Sequence, residues 1–231
     1  MRLVDLSRTL QHRTPTFPAH PPVGMMVWND HDEVKQADGV TFTSKSLFLT
    51  LGDHAGTHVD AFSHFDASPD AASIDQMPLE RFYTEAICLD LSHKPLQSDV
   101  TIDDLAAAEA ASGETIQAGD TVFLYLAFND RVPLTDPRYL THFSGLTKAS
   151  ATWLGDKGIN AFGVEAVSPG RPGGNNYEVH MVCRDLGFTH MESLVNLHEL
   201  VGQGRFRFIG FPLKIKGGTG SPIRAVAVLE D

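Results

Sequence analysis

The sequence predicts a mixed α/β or α+β fold made of many short strands with two or three helices among them. Three observations lead there. Short apolar stretches recur along the chain, glycines and prolines punctuate them, and two polar-to-apolar junctions carry helix caps. Strands and helices do not alternate strictly, so a purely parallel sheet is not implied.

Taken in order, residues 3–7 read as a strand. An irregular arm follows at about residues 12–30, where Pro15, Pro18, Pro21 and Pro22 stand among Phe17, Met25, Met26 and Trp28 and forbid regular structure. Residues 41–51 alternate and are rich in Thr, Phe and Leu, as expected of a strand leading to Gly52. Residues 87–91 and 121–128 are further strands, and between them residues 102–109 form a helix capped by Thr101. Residues 147–157, ended by Gly158, are a second helix, with a strand at 159–164. Residues 179–186 read as helix stopping at Gly187, and 188–194 as the next strand. Strands at 206–215 and 225–229 close the chain. No repeat, charge block or long linker divides it, so one domain over residues 1–231 is expected.

Composition narrows the function. At 231 residues, 42% hydrophobic and 20% charged, the chain has the make-up of a soluble globular protein. A formal charge of −11 repels phosphate backbones and anionic headgroups, so nucleic acid and membrane surfaces are poor partners and a small molecule is the better one. Cys88 and Cys183 lie in apolar stretches, which reads as buried free thiols, with neither a disulfide framework nor a thiolate metal site. Asp5 interrupts the N-terminus before an apolar leader can form, and the longest apolar run is far below membrane-spanning length; a cytoplasmic location is expected.

The chain has 11 histidines. His12, His20, His31, His93, His142 and His198 stand apart and read as surface or satisfied core residues. The segment from His54 to His64, HAGTHVDAFSH, instead packs three imidazoles and the carboxylate of Asp60 together. Such nitrogen and oxygen donors suit zinc, manganese, iron or nickel. A regular helix would turn Asp60 away from His54 and His58, and a fully extended chain would spread His54 and His64 over roughly 33 Å. The chain must therefore curl, and Gly56 gives it the freedom. A loop of mutually hydrogen-bonded histidines is the plainer alternative, but so many buried polar groups need partners or a metal. Elsewhere, the glycines at 217–220 lack the lysine of a phosphate loop and read as a tight turn near the site, and no serine sits in a nucleophile elbow.

HAGTHVDAFSH resembles the HxGTHxDxPxH signature of the cyclase-like metal-dependent hydrolases, which include bacterial kynurenine formamidases and isatin hydrolases. The resemblance extends to Asp5-Leu6-Ser7, Gly119-Asp120, residues 180–197 and the closing segments at 212–215 and 220–225, and so covers nearly the whole chain. It implies an α/β fold, a mixed sheet with flanking helices in a swivelling β/β/α style, assembled as a homodimer or larger. It implies His54, His58 and Asp60 as metal ligands, His64 as the catalytic histidine, and His180 with Glu192 as ligands of a second ion bridged by Asp60. The cofactor is then Mn2+ or Zn2+, one or two ions per chain. The helix–turn–strand reversal at Gly187 provides a way to bring His180 and Glu192 together.

The implied reaction is hydrolysis of a formamide, lactam or other amide, or an ester, of a small aromatic molecule, with His64 moving the proton. Phe17, Trp28, Phe62 and Phe65 are available to stack on its ring. Two departures stand out: Phe62 replaces the family's proline, and Glu165 occupies a position that usually carries aspartate. The Gly-rich loop at 171–177 either lines the cavity mouth or is a plain surface loop. The arm either covers a neighbouring subunit or packs on its own. A metal-dependent cyclase or dehydratase and a non-catalytic binding protein are the rival functions; the presence of His64 argues against the latter.

Overall fold

The computed structural model describes residues 1–230. In chain order the elements are β1 (Arg2–Asp5), β2 (Gly24–Asn29), β3 (Lys35–Ala37), β4 (Val40–Phe42), β5 (Ser46–Thr50), β6 (His58–Asp60) and α1 (Phe62–Phe65). There follow β7 (Tyr83–Asp90), β8 (Asp99–Val100), α2 (Ile102–Ser112), β9 (Thr121–Tyr125), α3 (Phe128–Arg131), β10 (Gly145–Leu146) and α4 (Lys148–Asp156). The chain closes with β11 (Ala161–Val164), α5 (Gly174–Leu186), β12 (Thr189–Glu192), β13 (Phe206–Ile209), β14 (Gly220–Pro222) and β15 (Val226–Leu229).

Nine strands make one sheet in the order β1-β15-β13-β7-β9-β11-β12-β6-β14. The central neighbours β7, β9, β11 and β12 run parallel, and the outer pairs are antiparallel. The sheet is thus mixed, as the sequence leads one to expect. Side-chain alternation divides its two faces. On β9, Val122 and Leu124 point to the face covered by α2, α4 and α5, where Leu105, Leu154, Val179 and Cys183 meet them. Phe123, between them, joins Phe206, Phe208, Val59 and Leu6 on the other face. Among the described residues no helix is long and apolar enough to cross a membrane.

Local chemistry sets the helix ends. Thr101 and Asp104 form a reciprocal capping box on α2, and Thr147 with Ser150 does the same on α4. Gly187 ends α5 in the left-handed conformation. α5 begins earlier than expected, at Gly174, so half of the Gly-rich loop is its first turn.

Four expectations need correcting, the first being the strand over 121–128, which ends at Tyr125 because Ala127 takes a left-handed conformation that turns the chain into α3. The arm is not irregular throughout: past Pro22, residues 24–29 contain no proline and form β2, which pairs with β5. Residues 41–51 are not one strand, because β4 closes a hairpin with β3 and the chain breaks at residues 43–45 before β5. Strand β13 stops at Ile209, short of the expected 215, and beyond it Pro212 makes only an isolated bridge to Ile223.

Gly163 tests the tightness of this packing. A Cβ there would lie 2.5 Å from Leu194 and 2.7 Å from the Phe123 ring. Gly163→Ala is expected to cost about 1–3 kcal/mol through overpacking, read from the urea midpoint. Stability equal to wild type would contradict this packing.

Candidate active site

Strand register assembles the site. His58 and Asp60 lie two residues apart on β6 and share a face. β12 pairs antiparallel with β6 so that Glu192 stands opposite His58 and Met191 opposite Val59, and the same register carries His190 toward Asp60 two steps along from Glu192. β14 pairs on the other edge, with Gly220 opposite Asp60. A Cβ on Gly220 would lie 2.7 Å from the His54 ring, so only glycine lets β14 pass. Gly56, at φ 65°, turns the chain so that His54 comes back against the strand. α5 brings His180, and the short α1 brings His64.

The carboxylate of Asp60 is the hub. Its Oδ1 lies 2.8 Å from His54 Nδ1 and 3.4 Å from His58 Nε2. Its Oδ2 lies 3.7 Å from His64 Nε2, 3.7 Å from His180 Nε2 and 3.3 Å from His190 Nε2. Glu192 spans the same two sides, with Oε2 at 3.6 Å from His58 and Oε1 at 3.2 Å from His190. Donor atoms that share one ion at about 2.0–2.2 Å cannot be more than about 4.4 Å apart, and all these separations are shorter.

Outer hydrogen bonds fix the imidazoles. His58 Nδ1 donates to the Gly56 carbonyl at 2.9 Å and His180 Nδ1 to the Asn176 carbonyl at 2.7 Å, leaving each Nε2 with its lone pair toward the carboxylates. At His54 the logic runs through Thr219. Asp53 accepts from the Thr219 N–H at 2.8 Å and from its hydroxyl at 2.9 Å. A hydroxyl has one proton, so Thr219, having given it to Asp53, accepts from His54 Nε2 at 2.9 Å. His54 Nδ1 then faces Asp60 Oδ1 as a bare lone pair, and Oδ1 is left without a hydrogen-bond partner.

Two acceptors 2.8 Å apart require a cation between them. The residues therefore fit a divalent ion. Without one, a proton takes its place: burial opposes charging His54, but the hydrogen bond and charge of Asp60 outweigh this and raise its pKa. For Asp60, burial works against ionisation too, and the imidazoles of His190, His54 and His58 overcome it, holding the carboxyl well below 3.8. Burial pushes Glu192 up to about 8 and pulls His64, His180 and His190 down to about 4.

A cavity of about 310 Å3 opens over this cluster, with Asp60, Glu192, His54, His64 and His180 in its wall. Phe17, Phe65, Val167 and Met181 give it apolar sides, and Asn176 and Tyr177 reach it from the first turn of α5. His64 is 26% exposed, the most open imidazole around Asp60. The turn at 217–220 lies beside the site, as expected.

Two of the expected aromatics lie outside this cavity's wall. Trp28 is 73% exposed on β2, its ring 6.3 Å from Phe48, because the ribbon of β2 and β5 carries it out of the cavity wall. Phe62 packs its ring between the two cores beneath the Arg81 guanidinium. It occupies the first position of α1, where no helical N–H is needed and proline or another residue fits equally. Glu165 is structural: its carboxylate accepts from the N–H groups of Leu126, Phe128 and Asn129 and anchors the turn after β9.

Two residues were overlooked. His20, set aside as isolated, stacks on His54 at 4.6 Å and lines the cavity; nothing local in the arm announces this path. His190 is 0% exposed and lies between Phe65 and Phe162. Its spacing to Glu192 on one strand, with the period of two that gives a shared face, was the available signal.

Fold and site together define a class, α/β proteins built on one large sheet with a buried cluster of His, Asp and Glu donors that could hold a metal ion. The chain belongs to the Cyclase family, described as "Putative cyclase", whose family model matches residues 4–171. It is 27% identical to a kynurenine formamidase of Salinibacter ruber over 98% of this chain and 97% of that one. It is 30% identical to an isatin hydrolase of Roseibium aggregatum over 79% of this chain and 74% of the relative. A crystal structure of an isatin hydrolase bound to the product analogue thioisatinate superposes with TM-score 0.83 at 26% identity, over 99% of this chain and 92% of that one.

The Thr219 relay gives a direct check. Thr219→Val leaves His54 Nε2 without its acceptor and is expected to weaken zinc or manganese binding about 10- to 100-fold by competitive titration. Thr219→Ser should retain wild-type affinity; equal affinity in the Val variant would remove the relay from the site.

Proposed function

We propose that the chain hydrolyses an amide outside peptides in a small aromatic molecule, an N-formyl arylamine or a lactam, with an ester as a related acyl substrate. The observation that carries this reading is the facing pair of acceptors, His54 Nδ1 and Asp60 Oδ1, at 2.8 Å in the wall of an apolar cavity that also contains His64. The kynurenine formamidase and isatin hydrolase relatives support the substrate class.

His54, His58 and Asp60 would hold a divalent ion, manganese or zinc, and Asp60 with His180 and Glu192 a second. When bound, such an ion polarises a carbonyl and lowers the pKa of water toward neutrality. His64 does the proton work. Burial keeps its imidazole neutral at pH 7, with a pKa of about 4, so it can accept a proton from the attacking water. It then returns that proton to the leaving nitrogen, which departs poorly without it. Phe17 and Phe65 flank the substrate ring.

A homodimer accords with the ribbon of β2 and β5. Met26, Val27, Trp28, Leu47, Phe48 and Leu49 are all exposed on it, and an isolated two-stranded ribbon is marginal in water. A second copy covering it is the natural partner, and a reducing cytoplasm suits the two buried free thiols.

His64→Ala is expected to bind metal as wild type does and to lose about 10²- to 10⁴-fold in kcat. Mass spectrometry of the product should show the addition of one water. Undiminished turnover in the variant would remove His64 from the reaction, and a product of unchanged mass would favour a cyclase. Sedimentation is expected to give twice the chain mass, and a monomer would leave the ribbon uncovered.

A further inference from the structure

His54, His58 and His180 each have an oxygen acceptor behind the ring: the Thr219 hydroxyl, the Gly56 carbonyl and the Asn176 carbonyl. The ring proton is held there, and the lone pair of the other nitrogen is turned toward the carboxylates. His190 is built differently. Its Nδ1 meets the Cys183 sulfur at 3.8 Å, and a thiol sulfur is a weak acceptor. On the other side its Nε2 lies 3.2 Å from Glu192 Oε1 and 3.3 Å from Asp60 Oδ2.

The ring is shut away from solvent, so bulk water supplies no other acceptor for Nδ1. It is 0% exposed and lies nearly parallel between two phenyl rings, Phe65 at 6.2 Å and 21° and Phe162 at 5.4 Å and 18°. A neutral imidazole has one N–H to place. On Nδ1 it would face sulfur. On Nε2 it is given to a carboxylate, and hydrogen bonds with an ionised partner are about twice as strong as neutral ones. A carboxylate that holds an ion is itself ionised and can only accept. The proton therefore belongs on Nε2, and a nitrogen that carries it has no lone pair to give a metal.

That leaves His190 outside the ligand set, although its donor atom lies within 4.8 Å of those of Asp60, His180 and Glu192. Its effect falls on Glu192, which stands two positions along β12 on the same face. Oε1 accepts the His190 proton, and Oε2, 3.6 Å from His58 Nε2, is the oxygen turned toward the other donors. Asp60 and Glu192 are 1% and 6% exposed, and two buried carboxylates side by side repel each other. An N–H within reach of both offsets part of that repulsion.

We infer, on the metal-dependent reading above, that His190 is a positioning residue of the metal centre: its Nε2–H holds Glu192 Oε1 and so presents Oε2 to the ion, while the Cys183 sulfur behind the ring leaves that proton on Nε2. His190 thus serves the centre through Glu192 and is not itself a ligand.

The test follows cobalt(II), which nitrogen and oxygen donors of this kind also bind and whose visible bands report its ligand atoms, in wild type, His190→Gln and His190→Leu. Leucine fills the apolar slot between Phe65 and Phe162 but donates nothing, whereas glutamine restores an N–H without an imidazole nitrogen. In His190→Leu the cobalt site that Glu192 serves is expected to weaken about 10- to 100-fold. His190→Gln should bind cobalt as wild type does, with the same visible bands at saturation. Undiminished affinity in His190→Leu overturns the assignment. A loss in His190→Gln as large as that in His190→Leu overturns it too, and altered cobalt bands in the glutamine variant would make His190 a ligand instead. In each of these outcomes wild type still takes up cobalt and the metal centre stands. Wild type that takes up none ends the metal-dependent reading and the role of His190 with it.

Discussion

The structure turns on a buried carboxylate that the chain by itself leaves short of partners. Asp60 is 1% exposed, and its Oδ1 meets His54 Nδ1 at 2.8 Å with no proton assigned to the gap by the surrounding hydrogen bonds. Removing an ionised carboxylate from water costs several kcal/mol even after relaxation. Evolution keeps such an arrangement where a ligand repays it, and a divalent ion bound to the folded state contributes to stability by mass action.

Much of the rest follows from holding that carboxylate still. β6 lies between β12 and β14, so the two neighbouring strands deliver Glu192 and His190 on one side and leave room for His54 on the other. The close approach depends on Gly220, and the return of His54 depends on Gly56. Thr189 adds a hydrogen bond to the Asp60 carbonyl at 2.6 Å. The division of labour between the two Asp60 oxygens is set by this frame, with His54 and His58 on Oδ1 and His64, His180 and His190 on Oδ2. The same frame leaves one side of the cluster open to the cavity, where His64 and Asn176 stand.

What could be read from the sequence was what local rules encode. Thr101 and Thr147 cap their helices and Gly187 ends α5, because capping depends on a few neighbouring residues. The donor spacing from His54 to His64 was legible because the ligands sit within one short segment. Resemblance, rather than spacing, pointed to His180 and Glu192. What escaped depends on distant packing. Nothing near His20 tells that the proline arm lays it on His54. Trp28 and Phe62 had the chemistry of cavity residues, but the ribbon and the Arg81 contact placed them elsewhere. His190 was half legible, since its alternation with Glu192 required only that residues 189–192 be a strand.

The most direct measurement is metal binding to wild type and to Asp60→Asn, by elemental analysis of protein loaded with zinc or manganese and freed of excess ion. An amide keeps the shape of the side chain but removes the charge that two donor sets share. Stoichiometric metal is expected in wild type, at one or two ions per chain, and its loss in Asp60→Asn. Equal metal content in both proteins, or none in wild type under either loading, would contradict it.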